Sequence, residues 1–540
     1  MDITRRQFVR LCGGTAAVVL PFGLTRCGGP RRPAHELIED VEWKKGVADA
    51  ALRVANSRGA TFADVRVVRN LIQTIAADDQ AIKGVPGEWH YGSSPEHVLE
   101  KVDIGFNVRV LKNGAWGFAA SPVLGEDEAV AVAGLACDLA EKAALTVSEP
   151  IRLVPEPVHV DTWVTPHEED PFTVSLDEKV ALLLRINEEV RRNPQTDRAF
   201  SWLDFWDENK FYANSEGAEI QQRLVRSDGS FFARARVDGV TAQRRFFVNP
   251  LNIGYEYIRG LDLPSHAERI AAEAVEKAKA PIIDFSGQMD VVMDPQNICL
   301  FEHETIGHPT ELNRTVLVET NFAGTTFLAP EDMGSYEFGS PVMNFVGDRS
   351  RPMLRSTCGY DDEGVKTQEW DVVREGKLVG FQTTREFATY VGEEASRGCC
   401  MTESWDRVPQ GRMPNLSLEP GGQDAPSPEE LIADTRRGLL FRGFSSRIVQ
   451  DYQRRYHTYT GNAVWEIENG RTTRMLRGAH YYGKNPSELW HRLETVTNPA
   501  SWEPAALDSD DIGQPTQRNH NTHGAPWARF RNLNVGGPAS

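Results

Sequence analysis

The run His303-Glu304-Thr305-Ile306-Gly307-His308 places two imidazoles and a carboxylate within six residues. Neutral imidazoles ligate divalent metals, and a carboxylate beside them can take a proton from a water that the metal has acidified. The spacing is one residue longer than the common zinc pattern His-Glu-x-x-His. On a regular helix of 3.6 residues per turn, positions i and i+4 lie about 40° apart, whereas i and i+5 lie about 140° apart. Rings so far apart do not easily share one ion. A π-type turn, widened by one residue, brings them back into line, and such turns recur at functional sites. Gly307 tolerates that backbone distortion, and Pro309 already ends the helix. The competing explanation is a chance pairing of His and Glu in a long chain. The motif alone also supplies no third protein ligand, which catalytic zinc normally needs.

The flanking residues show how such a run would be positioned. Residues 289–293 read as a strand, followed by Asp294 as helix cap and Pro295 at the first helical position. The helix runs through Ile298, Phe301 and His303 and stops at His308. From 310 to 480 the pattern is strand-rich. It contains one clear helix, with Ser427 as cap, Pro428 first, Glu430 completing a capping box and Gly438 at its end.

Upstream, 41–57 reads as a helix with Val47, Ala51, Leu52 and Ala55 on one face. Residues 62–68, 103–109 and 114–118 read as strands, the last two joined by an Asn113-Gly114 hairpin turn. A helix over 126–147 follows, and a capping box at 175–178 opens another over 179–192. Strands dominate 199–258, and 265–268 caps a helix ending near Pro281. The class is α+β. An N-terminal α/β domain over 30–285 precedes a β-rich C-terminal domain over 286–540 that carries the candidate metal site.

Composition narrows the compartment and the partners. Of 540 residues, 40% are hydrophobic and 25% charged, a globular profile, and the net charge is −18. No basic run long enough to serve a nucleic-acid face is present. Residues 1–29 carry Arg5, Arg6, Arg10 and Arg26 against Asp2, a net +3, so the rest of the chain carries −21. The pair Arg5-Arg6 before the short, mild apolar stretch 11–24 resembles a twin-arginine export signal. That stretch is too short and interrupted for a transmembrane helix. The expected location is therefore periplasmic or on the outer face of the cytoplasmic membrane, with the leader cleaved or kept as a tether. The seven cysteines, at 12, 27, 137, 299, 358, 399 and 400, include no Cys-x-x-Cys pair and form no disulfide framework.

Beyond the histidine motif, several segments occur in a recognisable order. They are Ala63-Asp-Val-Arg66, Gly105-Phe-Asn-Val-Arg-Val-Leu111, Asn113-Gly-Ala-Trp-Gly-Phe118 and Asn214-Ser-Glu-Gly217. After the motif come Asp361-Asp-Glu-Gly-Val365, Arg412-Met-Pro-Asn415, Glu419-Pro-Gly421, Gly513-Gln-Pro515 and Val535-Gly-Gly537. Together these resemble the TldD/PmbA metallopeptidase family, also called modulator of DNA gyrase, over about 60–537. The resemblance implies a zinc peptidase acting on unfolded or short peptides, with one zinc per chain. It also implies a homodimer, or a heterodimer with a related member, that encloses a cavity. His303 and His308 match the zinc ligands, and Glu304 matches the general base.

The family's third ligand is a Cys in a Cys-Gly-Lys segment, and no Cys follows Cys400 here. Alignment on Gly513-Gln514 puts Asp510 near that position, with Asp508 and Asp511 as neighbours. Alignment on family spacing puts Ser501 there instead. A carboxylate can complete a zinc site, and an acidic surface loop is the bland alternative. Glu311 matches a family acid, and His523 could support the site or bind a product carboxylate. The leading reading is an exported zinc peptidase. The alternative is a non-catalytic, peptide-binding partner subunit that has lost its third ligand.

Overall fold

Alternation along a set of long strands sorts side chains onto two unlike faces. The computed structural model describes residues 10–12, 15–19, 41–82, 98–320, 324–444, 451–507, 510–512 and 516–537. Strands Phe62–Asp78, Val98–Lys112, Ala115–Ser121, Thr196–Asn214, Glu219–Val237 and Val240–Leu251 form most of a ten-stranded sheet, each antiparallel to its neighbours in this set. Ala63, Val65, Val67, Phe211 and Ala213 pack under the helices Val41–Ser57 and Glu126–Ala143. Ile75, Ala77, Leu203, Phe205 and Phe231 pack under Leu176–Arg191 and Ala267–Lys279. Four helices therefore cover one face of the sheet.

The residues between them point the other way and are charged, yet they too are buried. Arg66 donates to the Asp362 carbonyl, through Nε at 2.9 Å. Arg109 pairs with Asp64 at 2.7 Å and with Glu363 at 3.2 Å. Lys210 Nζ reaches Asp362 Oδ1 at 2.8 Å. A buried charge is tolerated only when paired and hydrogen-bonded. This face is accordingly where the first half of the chain meets the Asp361–Val365 loop of the second.

The second half contains two further sheets. One runs His457–Thr460, His480–Gly483, Ala528–Gly536, Gly287–Met293, Arg437–Arg442, Ala463–Glu468, Arg471–Leu476. The other runs Lys377–Leu378, Glu369–Arg374, Phe345–Asp348, Asn415–Leu418, Thr522–Ala525, Glu503–Ala506. The helix that leads into the histidine motif, Pro295–Glu302, contributes Ile298, Cys299, Leu300 and Phe301 to a hydrophobic core shared by both sheets. Asp294 accepts from Asn297 N and Pro295 occupies the first turn, as its sequence predicts. Phe301 stacks on Trp490 with ring centroids 4.4 Å apart.

Most elements fall where the sequence puts them, with exceptions, the first being that the helix expected over 126–147 ends at Ala143. The stretch 199–258 is not strand to its end, because Tyr255–Gly260 is a helix. Its aromatic composition favours strand, but Tyr255 and Ile258 face the core together at helical spacing, and Glu256 accepts from Gly254 N. Ser265 does not cap the next helix; its hydroxyl bonds the Asp262 carbonyl, and the helix begins at Ala267. The helix opened by Ser427 ends at Ala433, short of Gly438. Gly438 instead lies in a strand beside Asp290, where a Cβ would stand 2.7 Å from the Asp290 carbonyl oxygen. Within residues 1–29, Arg10–Cys12 and Thr15–Val19 pair with each other, and the second runs parallel to Ala115–Ser121. The rest of 1–29 lies outside the described residues.

Gly105 shows how closely the halves approach, since a Cβ there would fall 2.3 Å from the Trp405 ring. Gly105→Ala is expected to destabilise the chain by about 1–3 kcal/mol, the usual range for overpacking. Thermal unfolding checks this, and an unchanged melting temperature would refute the close contact.

Candidate metal centre

The helix widens at the motif. From His303 to Gly307 the backbone makes a π turn, and the His308 N–H donates to the His303 carbonyl, the bond that spans five residues. This brings the two rings together, centroids 4.4 Å apart at 73°. Gly307 has φ −56°, which any residue adopts, so conformational freedom is not the reason for glycine there. The reason is space, because a Cβ would fall 2.3 Å from Met413 Sδ. Pro309 then turns the chain into a single 3₁₀ turn, His308–Thr310.

The three polar groups of the motif are buried, with His303 2%, Glu304 4% and His308 3% exposed. They offer ligand atoms within 4.8 Å of one another. Asp510 joins them from the strand Asp510–Ile512. Its Oδ1 lies 3.7 Å from His303 Nε2 and 3.5 Å from His308 Nε2. Ligands about 2.0–2.2 Å from a tetrahedral zinc stand about 3.3–3.6 Å apart. Two imidazole nitrogens and a carboxylate oxygen therefore fit a zinc ion here, leaving a position open for water or substrate. Burial pushes the Asp510 carboxyl up, while the hydrogen bond from His303 and any proton carried by the facing His308 and His303 rings pull it down, and the net direction is down. Burial, with Arg454 and Arg314 nearby, pushes His308 well down, so the ring is neutral and able to ligate.

A further layer of partners orients these groups. His308 Nδ1 donates to Glu311 Oε2 at 2.9 Å, leaving Nε2 toward Asp510. Glu311 is fully buried; it also accepts from Arg314 Nε, and from Met413 N at 3.1 Å. Asp510 Oδ2 accepts from Asn519, its cross-strand partner, at 3.1 Å. His303 Nδ1 lies 2.8 Å from His523 Nε2, and Leu416 N donates to His523 Nδ1 at 3.2 Å. A neutral ring carries one N–H. With His303 Nε2 turned to a metal, its Nδ1–H donates to His523 Nε2, which puts the His523 proton on Nδ1 and opposes the Leu416 contact. A metal would thus select the His303–His523 bond over the Leu416 bond.

Of the residues picked out by sequence, His303, Glu304, His308, Asp510, Glu311 and His523 are all brought together. Ser501 is not, and its hydroxyl instead bonds Thr497 and the Asn498 carbonyl. Asp508 lies outside the described residues, as does the side chain of Asp511, whose backbone pairs with Arg518. Sequence reasoning missed Arg314, Asn519 and Arg454. Arg314, three residues after Glu311, carried a readable helical-spacing signal. Arg454 Nη1 donates to Glu304 Oε2 at 2.7 Å from 150 residues away, and nothing local announces it.

Known proteins resemble this chain along most of its length. Residues 286–537 match the PmbA/TldA metallopeptidase C-terminal domain, and 169–281 match the central domain of the same metallopeptidases. A zinc metalloprotease TldD homolog of Saccharolobus solfataricus is 23% identical over 500 residues, 90% of this chain and 99% of that protein. A metalloprotease of Methanocaldococcus jannaschii is 24% identical over 408 residues, 74% of this chain and 85% of that protein. The fold is similar to that of TldE from Thermococcus kodakarensis, with TM-score 0.65 and 17% identity, covering 91% of this chain and 99% of that one.

Glu311→Gln removes the charge that both His308 and Arg314 lean on. Zinc affinity is expected to fall about 10–100-fold, the usual effect of losing such a partner. Chelator competition measures it, and unchanged affinity would remove Glu311 from the centre.

Proposed function

Because the chain belongs to the PmbA/TldD metallopeptidase family, we propose that it is a zinc-dependent peptidase hydrolysing short or unfolded peptides. The observation that carries this reading is the convergence of His303 Nε2, His308 Nε2 and Asp510 Oδ1 beside the buried Glu304. His303, His308 and Asp510 would hold one zinc, which would acidify water and polarise the scissile carbonyl when bound. Glu304 takes the proton from the attacking water and delivers it to the departing amine nitrogen. Its acceptance of an Arg454 hydrogen bond favours the ionised form that such a base requires. The burial of the whole cluster keeps bulk water away from the groups that transfer the proton.

Asp510 in place of a thiolate makes the donor set harder and less thiophilic. On this reading the substrate main chain would add to a sheet edge near the centre, which would give broad sequence tolerance. The same reading gives a dimer, with itself or with a related chain. It also gives export through the Arg5-Arg6 leader.

Metal analysis of the purified chain is the decisive measurement. About one zinc per chain is expected, with Asp510→Ala emptied and Glu304→Gln loaded but inactive toward peptides. A chain holding no metal, indifferent to Asp510→Ala, would instead be a non-catalytic partner subunit.

A further inference from the structure

Arg454 is placed with unusual care for a residue outside the histidine motif. Its guanidinium is 4% exposed and sits on Glu304, with Nη1 2.7 Å from Oε2. Its positive charge also reaches His308. The backbone at Arg454 has φ +59°, a left-handed conformation that a branched-out side chain adopts at some cost in strain. That turn is clamped. Arg454 N donates to the Asp451 carbonyl at 3.0 Å, and the Arg454 carbonyl accepts from His457 Nε2 at 2.8 Å. Tyr459, bonded to His457 Nδ1 at 2.8 Å, packs edge-on against Phe301 on the same helix that leads into Glu304. Base and cation are therefore held from one core.

We propose that Arg454 is the cation that stabilises the substrate's oxyanion during peptide hydrolysis, and not merely an ion-pair partner of Glu304. The inference rests on the peptidase reading above and follows from charge accounting. Before reaction the negative charge lies on Glu304, against Arg454. As the water oxygen bonds to the carbonyl carbon, its proton passes to Glu304 and the C=O π pair moves to oxygen. The negative charge thus leaves the carboxylate and appears on the tetrahedral oxyanion beside it. Arg454 loses one partner as the other forms, and its planar fork of five donors can turn to the new one without crossing the site. When the C–N bond breaks, the proton on Glu304 goes to the amine and the carbonyl re-forms. The charge then returns to Glu304. A cation that gains its partner only in the transition state accelerates the step, whereas one that binds substrate equally well does not.

The test compares Arg454→Lys, Arg454→Gln and Arg454→Ala in the full chain, reading kcat, KM, zinc content, melting temperature and affinity for a phosphinic peptide that mimics the tetrahedral oxyanion. With zinc content unchanged, Gln and Ala are expected to lower kcat about 100–1,000-fold, the usual loss for an oxyanion donor. KM should stay nearly constant, phosphinic-peptide affinity should fall in parallel with kcat, and Lys should recover part of both. Zinc-loaded Arg454→Ala that binds the phosphinic peptide as tightly as the unsubstituted chain would overturn the proposal while leaving the peptidase reading intact. So would loss of zinc or folding in all three variants, because the role would then be structural. An unsubstituted chain that neither holds zinc nor cleaves peptides would overturn the peptidase reading, and this role with it.

Discussion

Two imidazoles five residues apart can face one point only if the helix between them opens by a residue. Much of the centre is arranged around that requirement. The His308 N–H to His303 carbonyl bond closes the wide ring, and the surrounding packing holds a turn that an isolated helix would relax into ordinary α geometry. Phe301 is stacked on Trp490, Thr305 bonds back to the Phe301 carbonyl and accepts from Trp490 Nε1, and Met413 fills the space that Gly307 vacates. The site helix lies between two sheets, so its distortion is fixed from both sides. Such over-determination is what lets a less favourable backbone persist at a functional site.

A second network connects the first half of the chain to this centre. Lys210 and Arg66 hold Asp362, whose other carboxylate oxygen accepts from Thr402 N at 2.6 Å. Asn70 binds the Glu403 carbonyl, and Glu403 N and its carboxylate bond Gln517 and Arg518 N. Residues 517–519 pair with the strand that presents Asp510. A contiguous set of buried hydrogen bonds therefore runs from the charged face of the large sheet to the third candidate ligand. Buried charges of this kind add little net stability, but removing one partner leaves the other stranded at about 3–5 kcal/mol. Their value is geometric, in holding Asp510 at ligand distance from both rings.

The chain's departure from its family's cysteine is consistent with these surroundings. A carboxylate can accept from Asn519 through one oxygen while offering the other to a metal, which a thiolate cannot do so readily. The hydrogen bond that Asn519 donates to Asp510 favours the ionised carboxylate, the form that ligates.

Local chemistry was legible in the residues alone. The histidine motif, its need for a widened turn, the Asp294-Pro295 start, the Asn113-Gly114 hairpin and most helices follow from periodicity, caps and turn residues acting over a few positions. Errors came where a distant partner outvoted local preference, as at Tyr255–Gly260, which the core makes helical, and at Gly438, which sheet pairing claims. The sequence also narrowed the candidate third ligand to Ser501 or one of Asp508, Asp510 and Asp511, but spacing could not choose among them. Among the described residues, tertiary structure brings Asp510 beside both rings. Pairing of Asp510 with Asn519 turns one carboxylate toward both rings, Ser501 is bonded elsewhere, and Arg454 is folded back onto Glu304 across 150 residues. Motif chemistry is local and can be read from the chain, whereas the convergence of separate strands on one point depends on register and burial, which exist only once the chain is packed.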